Sequence, residues 1–163
     1  MNNNLHFIYR SLFLLGIFLC SCVSVKSAQS PSDFKVRAFY LDCRTQVMTV
    51  SAIKNFASDL STKGINTLLI EYEATFPFQK HATLCNHLAF SRDEVKDIIK
   101  HCTSLGIDVI PLQNCFGHSE YILRHDRYAH LREDRKEVSQ VCPLKKEEAK
   151  KVFREIFREV AEL

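Results

Sequence analysis

The side chains best suited to chemistry fall in three short clusters, each at the end of an apolar run. Asp42 and Arg44 close and follow the run 36–42, Glu71 and Glu73 close the run 66–72, and Gln113, Asn114 and His118 follow the run 107–112. Together they supply carboxylates, a guanidinium, two amides and an imidazole. These groups can hold a polar ligand by many directional hydrogen bonds and can orient an acid or tune its proton affinity. A strand end is also simply wet, so each of these residues taken singly has an ordinary solvated reading. A second set, His81, Cys85 and His87, is spaced like metal ligands, but no fourth ligand lies near it and a solvated loop is the better reading. No CxxC pair occurs, so no metal site and no cofactor are expected. His125 and His130 are expected to fix the segment after the third run. The mixed charges from Arg124 to Glu137 read as a solvated face.

The elements that must position these clusters follow from periodicity. Val50, Ile53, Phe56, Ala57 and Leu60 share one helical face, and Gly64 stands where the helix needs a left-handed stop. Ser91-Arg92-Asp93-Glu94 is a capping box that opens a second helix, with Val95, Ile98, Ile99, Cys102 and Leu105 inward and Gly106 after it. A last helix carries Ala149, Val152, Phe153, Ile156, Phe157 and Val160 on one face. Residues 73–90 read as a long loop, and a second long segment runs to Pro143. The order is strand, helix, strand, helix, strand, loop, helix. Near-continuous apolar strands separated by helices imply an α/β fold with a parallel sheet covered by helices. An open doubly wound sheet and a TIM barrel both fit. The stretch Asp42-Cys43-Arg44-Thr45-Gln46 has no glycine, which weakens a dinucleotide-binding reading. A full barrel takes about 250 residues, so if the chain is a barrel it is a partial TIM (β/α)8 barrel of about the first three βα units. In either fold the three clusters share the carboxyl-end face of the sheet, where ligands bind.

Composition narrows the class. The chain has 163 residues and a mass of 18.9 kDa, with 46% hydrophobic and 25% charged residues, which suits one globular domain. Residues 27–163 carry 20 basic and 19 acidic groups, so no nucleic-acid partner is expected. Seven cysteines are too few for a disulfide scaffold. At the N-terminus, Arg10 precedes an uncharged stretch, 11–25, with the apolar centre 12–19. That stretch is shorter than the about 20 residues of a membrane-spanning helix and reads as a signal peptide over 1–21. Leu19-Cys20-Ser21-Cys22 resembles a bacterial lipobox with Cys22 as the lipidated residue; simple cleavage near Ser27-Ala28 is the alternative. Residues 22–34 then form a tether, and the domain covers 35–163. The expected location is the bacterial periplasm or the outer membrane as a lipoprotein, with membrane contact through the lipid anchor.

Three motifs in order carry a family resemblance. Arg37-Ala38-Phe39-Tyr40-Leu41-Asp42-Cys43-Arg44, Glu71-Tyr72-Glu73-Ala74-Thr75-Phe76-Pro77-Phe78 and Ile110-Pro111-Leu112-Gln113-Asn114-Cys115-Phe116-Gly117-His118 resemble the first three barrel strands of glycoside hydrolase family 20, the β-N-acetylhexosaminidases. Phe116 stands where that family has a Pro. The run Gly117-His118-Ser119-Glu120-Tyr121, His125 and Tyr128-Ala129-His130-Leu131-Arg132-Glu133 looks like the hexosaminidase D branch. The match implies the N-terminal part of the catalytic barrel over 35–163. It implies substrate-binding roles for Arg37, Glu73, Asn114 and His118, with Glu71 as a neighbour. Arg37 would hold sugar hydroxyls through its fixed donors, and His118 would support the site by bonding a carboxylate. Asn114 replaces an Asp of many relatives, and an amide cannot stabilise a charged His as a carboxylate would. The implied ligand is an N-acetylhexosamine-containing glycan, hydrolysed by substrate-assisted retaining catalysis, an exception to the two-carboxylate scheme. That chemistry uses an Asp-Glu pair after the fourth strand. The only Asp-Glu dipeptide here, Asp93-Glu94, caps a helix, and the chain has no Trp for an aromatic wall. No catalytic residue is therefore expected in these 163 residues; the pair would lie beyond Leu163, in a missing C-terminal half. The alternative is a non-catalytic exported carbohydrate-binding or degenerate fragment. A remoter one is an unrelated α/β binding lipoprotein.

Overall fold

The computed structural model describes residues 34–163. The expected signal peptide, the lipidation site at Cys22 and nearly all of the tether lie outside the described residues. Three strands form one parallel sheet in the order β1 (Ala38–Asp42), β2 (Thr67–Glu71), β3 (Asp108–Leu112). Helix α1 (Val50–Thr62) connects β1 to β2, and α2 (Arg92–Ser104) leads into β3. Beyond β3 come a short helix, α3 (Glu120–Leu123), and the long α4 (Lys146–Ala161).

The local signals work as chemistry requires. Thr49 caps α1 by accepting from the Ala52 amide, and Ser91 with Glu94 forms the reciprocal capping box of α2. Gly64 and Gly106 follow the two helices at φ +78° and +72°, a region that side chains with a Cβ avoid. Register then separates two faces, because parallel partners point the same way. Phe39, Leu68 and Val109 align, as do Leu41, Ile70 and Pro111. This face packs under the helices, and Phe39 meets Phe56 of α1 edge to face at 5.0 Å. Leu68 and Ile70 are fully buried with Ile53, Ala57, Ile98 and Cys102. Each such aliphatic side chain contributes about 1.5–3 kcal/mol by leaving water. The other face carries Tyr40, Leu69 and Ile110 in one row, and Asp42, Glu71 and Leu112 in the next.

The segment after β2 departs from the expected loop. Residues 73–90 contain two 3-10 turns, Glu73–Thr75 and Ala82–Leu84, and bury Phe76, Phe78, Leu84 and Phe90. Tyr72 meets Phe76 and Phe90 edge to face at 5.7 and 6.2 Å. Aromatic side chains four and eighteen residues apart make this stretch part of the core, where periodicity has no signal to offer. His81 is likewise not solvated. It is 1% exposed, with Nδ1 2.6 Å from the Tyr128 hydroxyl and Nε2 3.1 Å from Glu155 of α4. Both its ring nitrogens are occupied, the Cys85 thiol donates to the Phe76 carbonyl at 3.3 Å, and His87 is exposed. Among the described residues no group of His, Cys, Asp and Glu is arranged to hold a metal ion. The buried carboxylate of Glu159 accepts from the amides of Gln79 and Lys80, so α4 closes this segment from the other side.

The charge-rich stretch 124–137 is solvated only in part. Tyr128 and Leu131 are buried within it, and Arg132 bridges Val141 in antiparallel fashion while Arg124, Asp126 and 133–137 face water. His125 is half-buried, its Nε2 finds no partner among the described residues, and burial pushes its proton affinity down. The backbone carbonyl of His130 accepts from Lys145, a bond that any residue at this position could make. Two substitutions separate packing from capping. Ile98→Ala should cost about 2–5 kcal/mol by leaving a cavity, whereas Ser91→Ala should cost about 1 kcal/mol, both read from urea denaturation.

Candidate functional site

The carboxyl ends of the three strands gather five of the expected polar residues. At the end of β1, Asp42 accepts from the backbone amide of Arg44 at 2.8 Å and from its Nη2 at 2.8 Å. This tight turn folds the guanidinium back over the sheet, and its Nε also lies 3.3 Å from Oε2 of Glu71. Asp42 is held below the usual carboxylate range chiefly by the Arg44 hydrogen bond. Glu71 ends the central strand opposite Asp42 and is 2% exposed. The Tyr40 hydroxyl, one step back on the same face, donates to its Oε2, and the Asn114 amide donates to its Oε1.

Glu73 reaches the same place by a strained turn. Its φ of +45° is in the left-handed region, uncommon for a residue with a Cβ. Its Oε1 accepts from Nδ2 of Asn114 at 2.7 Å, so a single amide nitrogen serves both Glu71 and Glu73. An amide suits that position because its NH₂ carries two donors and no charge. The amide thus takes a different task from the one the resemblance suggested for a carboxylate beside His118. Tyr121 of α3, 2% exposed, fixes Asn114 from below by donating to its carbonyl at 3.0 Å.

Burial pushes the carboxyl groups of both Glu71 and Glu73 up from their ordinary range. The Asn114 hydrogen bond opposes this at each, and the Glu71 charge adds to it at Glu73. The neighbouring Cys43 is fully buried and its thiol is pushed up to about 11 by desolvation, which keeps it out of nucleophilic chemistry. His118 sits at φ +52° on an exposed turn. It acts on Glu71 electrostatically, but among the described residues no hydrogen bond joins it to a carboxylate. Gln113 buries its amide, and neither end finds a partner among the described residues.

Arg37 is not brought to this cluster. It precedes β1, at the amino end of the sheet, where its Nε bonds the Gly64 carbonyl and its Nη1 the Phe34 carbonyl at 3.0 Å. Its guanidinium ties the α1–β2 turn to the start of β1. Arg44 supplies the guanidinium at the carboxyl end instead. Tyr40 and Tyr121 are the members that sequence reasoning missed. For Tyr40 a signal existed: period-two alternation puts it on the face of Asp42. For Tyr121 only the fold could show it. The assembled site is a hydrogen-bonding surface of one cation, an amide and two close carboxyl groups, without a nucleophile–base pair among the described residues.

The raised carboxyl groups make a signed prediction about stability. A folded state that holds a proton more tightly than the unfolded chain is favoured at low pH and loses that contribution as pH rises through the folded value. Glu73→Gln should therefore raise the urea midpoint at pH 7–8. The gain should vanish at acid pH, below the ordinary glutamate range of about 4.3.

No family model matches the chain. Two curated relatives do. Hexosaminidase D of Bos taurus is 35% identical over 114 residues, 69% of this chain and 33% of that protein. Hexosaminidase D of Homo sapiens is 38% identical over 104 residues, 63% of this chain and 21% of that protein. The chain thus spans a third or less of the curated relatives it matches. Among solved structures, the Flavobacterium johnsoniae chitobiase superposes with a TM-score of 0.68 at 20% identity, over 80% of this chain and 22% of that one. A mutant Streptomyces plicatus β-hexosaminidase in complex with its product GlcNAc superposes with a TM-score of 0.68 at 17% identity, over 80% and 30%. The three-stranded parallel sheet and its helices have the fold of part of a family 20 barrel.

Proposed function

We propose that this chain, a glycoside hydrolase family 20-like segment resembling part of hexosaminidase D, forms one side of the sugar pocket of a β-N-acetylhexosaminidase. The observation that carries the reading is the convergence of Arg44, Glu71, Glu73 and Asn114 at the carboxyl ends of a family 20-like sheet. The ligand is a terminal N-acetylhexosamine of a glycoconjugate, in keeping with the GlcNAc product held by the Streptomyces plicatus protein. Arg44 offers fixed donors to vicinal hydroxyls, and the carboxyl pair accepts from hydroxyls or orients them. His118, exposed beside Glu71, lines the open side of the pocket. In this reading Arg37 serves the sugar only indirectly, through the strand it fixes.

Hydrolysis requires more than this surface. Substrate-assisted cleavage needs an acid at the leaving oxygen and a group that positions the acetamido nucleophile. Asp93-Glu94, the single Asp-Glu dipeptide in the 163 residues, caps α2 at the start of the helix rather than at the strand ends. A second reading is that the chain binds sugar without cleaving it or is a degenerate fragment. Export through the N-terminal signal segment and lipidation at Cys22 belong to the same proposal, since the polar run 24–32 would let such a domain stand off a membrane.

The test uses the 163-residue chain with a methyl N-acetyl-β-glucosaminide, followed by NMR. Binding should be lost by at least about tenfold in Arg44→Ala, the loss of roughly 1.4 kcal/mol, and retained in Arg37→Ala at a temperature where that variant is folded. A chromogenic N-acetylglucosaminide should show no turnover above buffer. Absence of binding, or equal binding by the Arg44 variant, sinks the pocket assignment. Turnover that disappears in Glu73→Gln would show that these residues catalyse unaided.

A further inference from the structure

Asn114 places two carboxyl groups around one nitrogen. Its Nδ2 lies within hydrogen-bonding reach of Oε1 of Glu71 and of Oε1 of Glu73, so the two acidic groups are separated by a single amide. They are not equivalent. Glu71 has hydrogen-bond donors at both oxygens, Asn114 at Oε1 and Tyr40 at Oε2, and the Arg44 guanidinium stands as an ion partner 3.3 Å from Oε2. That is the environment of an ionised carboxylate, which can only accept. Glu73 has one donor, the shared amide, and its Oε2 has no hydrogen-bond partner among the described residues. Both side chains are buried, at 2% and 8% exposure, where two neighbouring negative charges repel far more strongly than in water.

We propose that Asn114 is a positioning residue that locks Glu71 and Glu73 into a single-proton pair, with the proton on Glu73 Oε2, where it presents an O–H to the ligand side of the pocket. The groups facing Glu73 set the balance. Glu71 from β2 and Glu120 from α3 disfavour its charge, Arg44 from the β1–α1 turn favours it, and His118 acts on the pair through Glu71. Tyr121, whose hydroxyl is pushed far up by burial, stays neutral and serves only to hold Asn114. The net effect leaves Glu71 as the acceptor and Glu73 as the donor, two polarities in one small site. A sugar hydroxyl or an acetamido carbonyl can accept from Glu73 while a second hydroxyl donates to Glu71. The ligand half of this inference rests on the sugar-pocket reading; the proton half does not.

Carboxyl ¹³C NMR of the full chain, labelled at Glu Cδ and titrated from pH 3 to 9, tests it without any ligand. Signals are assigned with Glu71→Gln and Glu73→Gln. The two groups should titrate in steps separated by more than about one pH unit, with the first proton going to Glu73. Glu71→Gln should lower the Glu73 midpoint by about one unit, as expected when a like charge is removed from a coupled pair. Asn114→Ala should raise both midpoints together, since one amide stabilises both charges; a merely structural asparagine would leave them in place. Independent titration of both groups near the ordinary glutamate value of about 4.3, or a Glu73 midpoint indifferent to Glu71→Gln, overturns the proposal. If the Asn114 variant is unfolded by circular dichroism, the Glu71 variant decides alone. A pair that titrates as described in a chain that binds no N-acetylglucosaminide would refute the pocket reading and leave the pair intact.

Discussion

The placement of the site depends on the burial of β2 between two parallel neighbours. Leu68 and Ile70 are fully buried beneath the helices, and period-two alternation then forces Leu69 and Glu71 to the opposite face. A slip of one residue would exchange the two sets and carry Glu71 into the apolar layer. Because β1 and β3 take their registers from β2, the same constraint sets Asp42 beside Glu71 and brings the exit of β3 to the point where Asn114 can reach it. The polar site is thus an outcome of apolar packing on the other side of the sheet.

That dependence explains which parts the sequence made legible. The helices announced themselves because Ile53, Ala57 and Leu60, or Val95, Ile98 and Cys102, repeat at helical spacing and have a cap or a glycine at their ends. The strands were visible as apolar runs, and their ends as sudden polarity. What did not show was anything set by distant contacts. The aromatic interior of 73–90 is made by Tyr72, Phe76, Phe78 and Phe90 closing on one another, with no repeat to reveal it. His81 is buried because Tyr128 and Glu155 lie 47 and 74 residues later. Arg37 and Arg44 look alike in a list of cations; only the direction of β1 places one at the amino end and the other at the ligand-facing end. The family resemblance assigns the sugar-binding role to Arg37, whereas the direction of β1 puts Arg44, seven residues on, at the carboxyl end.

Charge is handled differently at the two ends of the sheet. At the amino end the Arg37 guanidinium meets, among the described residues, the carbonyl oxygens of Gly64 and Phe34, satisfying backbone acceptors where a helix gives way to a strand. At the carboxyl end Arg44 meets two carboxylates, one half-buried and one buried. Asp42 fixes the guanidinium in a local turn, which lowers the entropy lost when Arg44 also reaches Glu71. A buried carboxylate that keeps donors at both oxygens is stabilised as the anion; one that shares its only protein donor is stabilised less. Glu71 and Glu73 stand on the two sides of that distinction although only Tyr72 separates them.

Backbone strain marks the same place. Among the described residues, Glu73 and His118 are the non-glycine positions with positive φ, and both flank the carboxyl cluster. Glycine at either would relieve the backbone but remove the side chain that the turn exists to present. In each case the strain redirects a side chain that ordinary strand alternation or a regular turn would have sent elsewhere. Glu73 in particular lies beyond the end of β2, where continued strand geometry would give it the face of Glu71 at the next step along the strand. The left-handed turn instead draws it back to the same amide. Strain of this kind persists only where the surroundings over-determine it. Here the surroundings are the buried 3-10 turn with Ala74 and Thr75 and the hydrogen bond from Thr75 to the Tyr72 carbonyl at 2.6 Å. The aromatic packing that the loop reading of 73–90 missed is therefore also what holds the second carboxyl group of the pair in position.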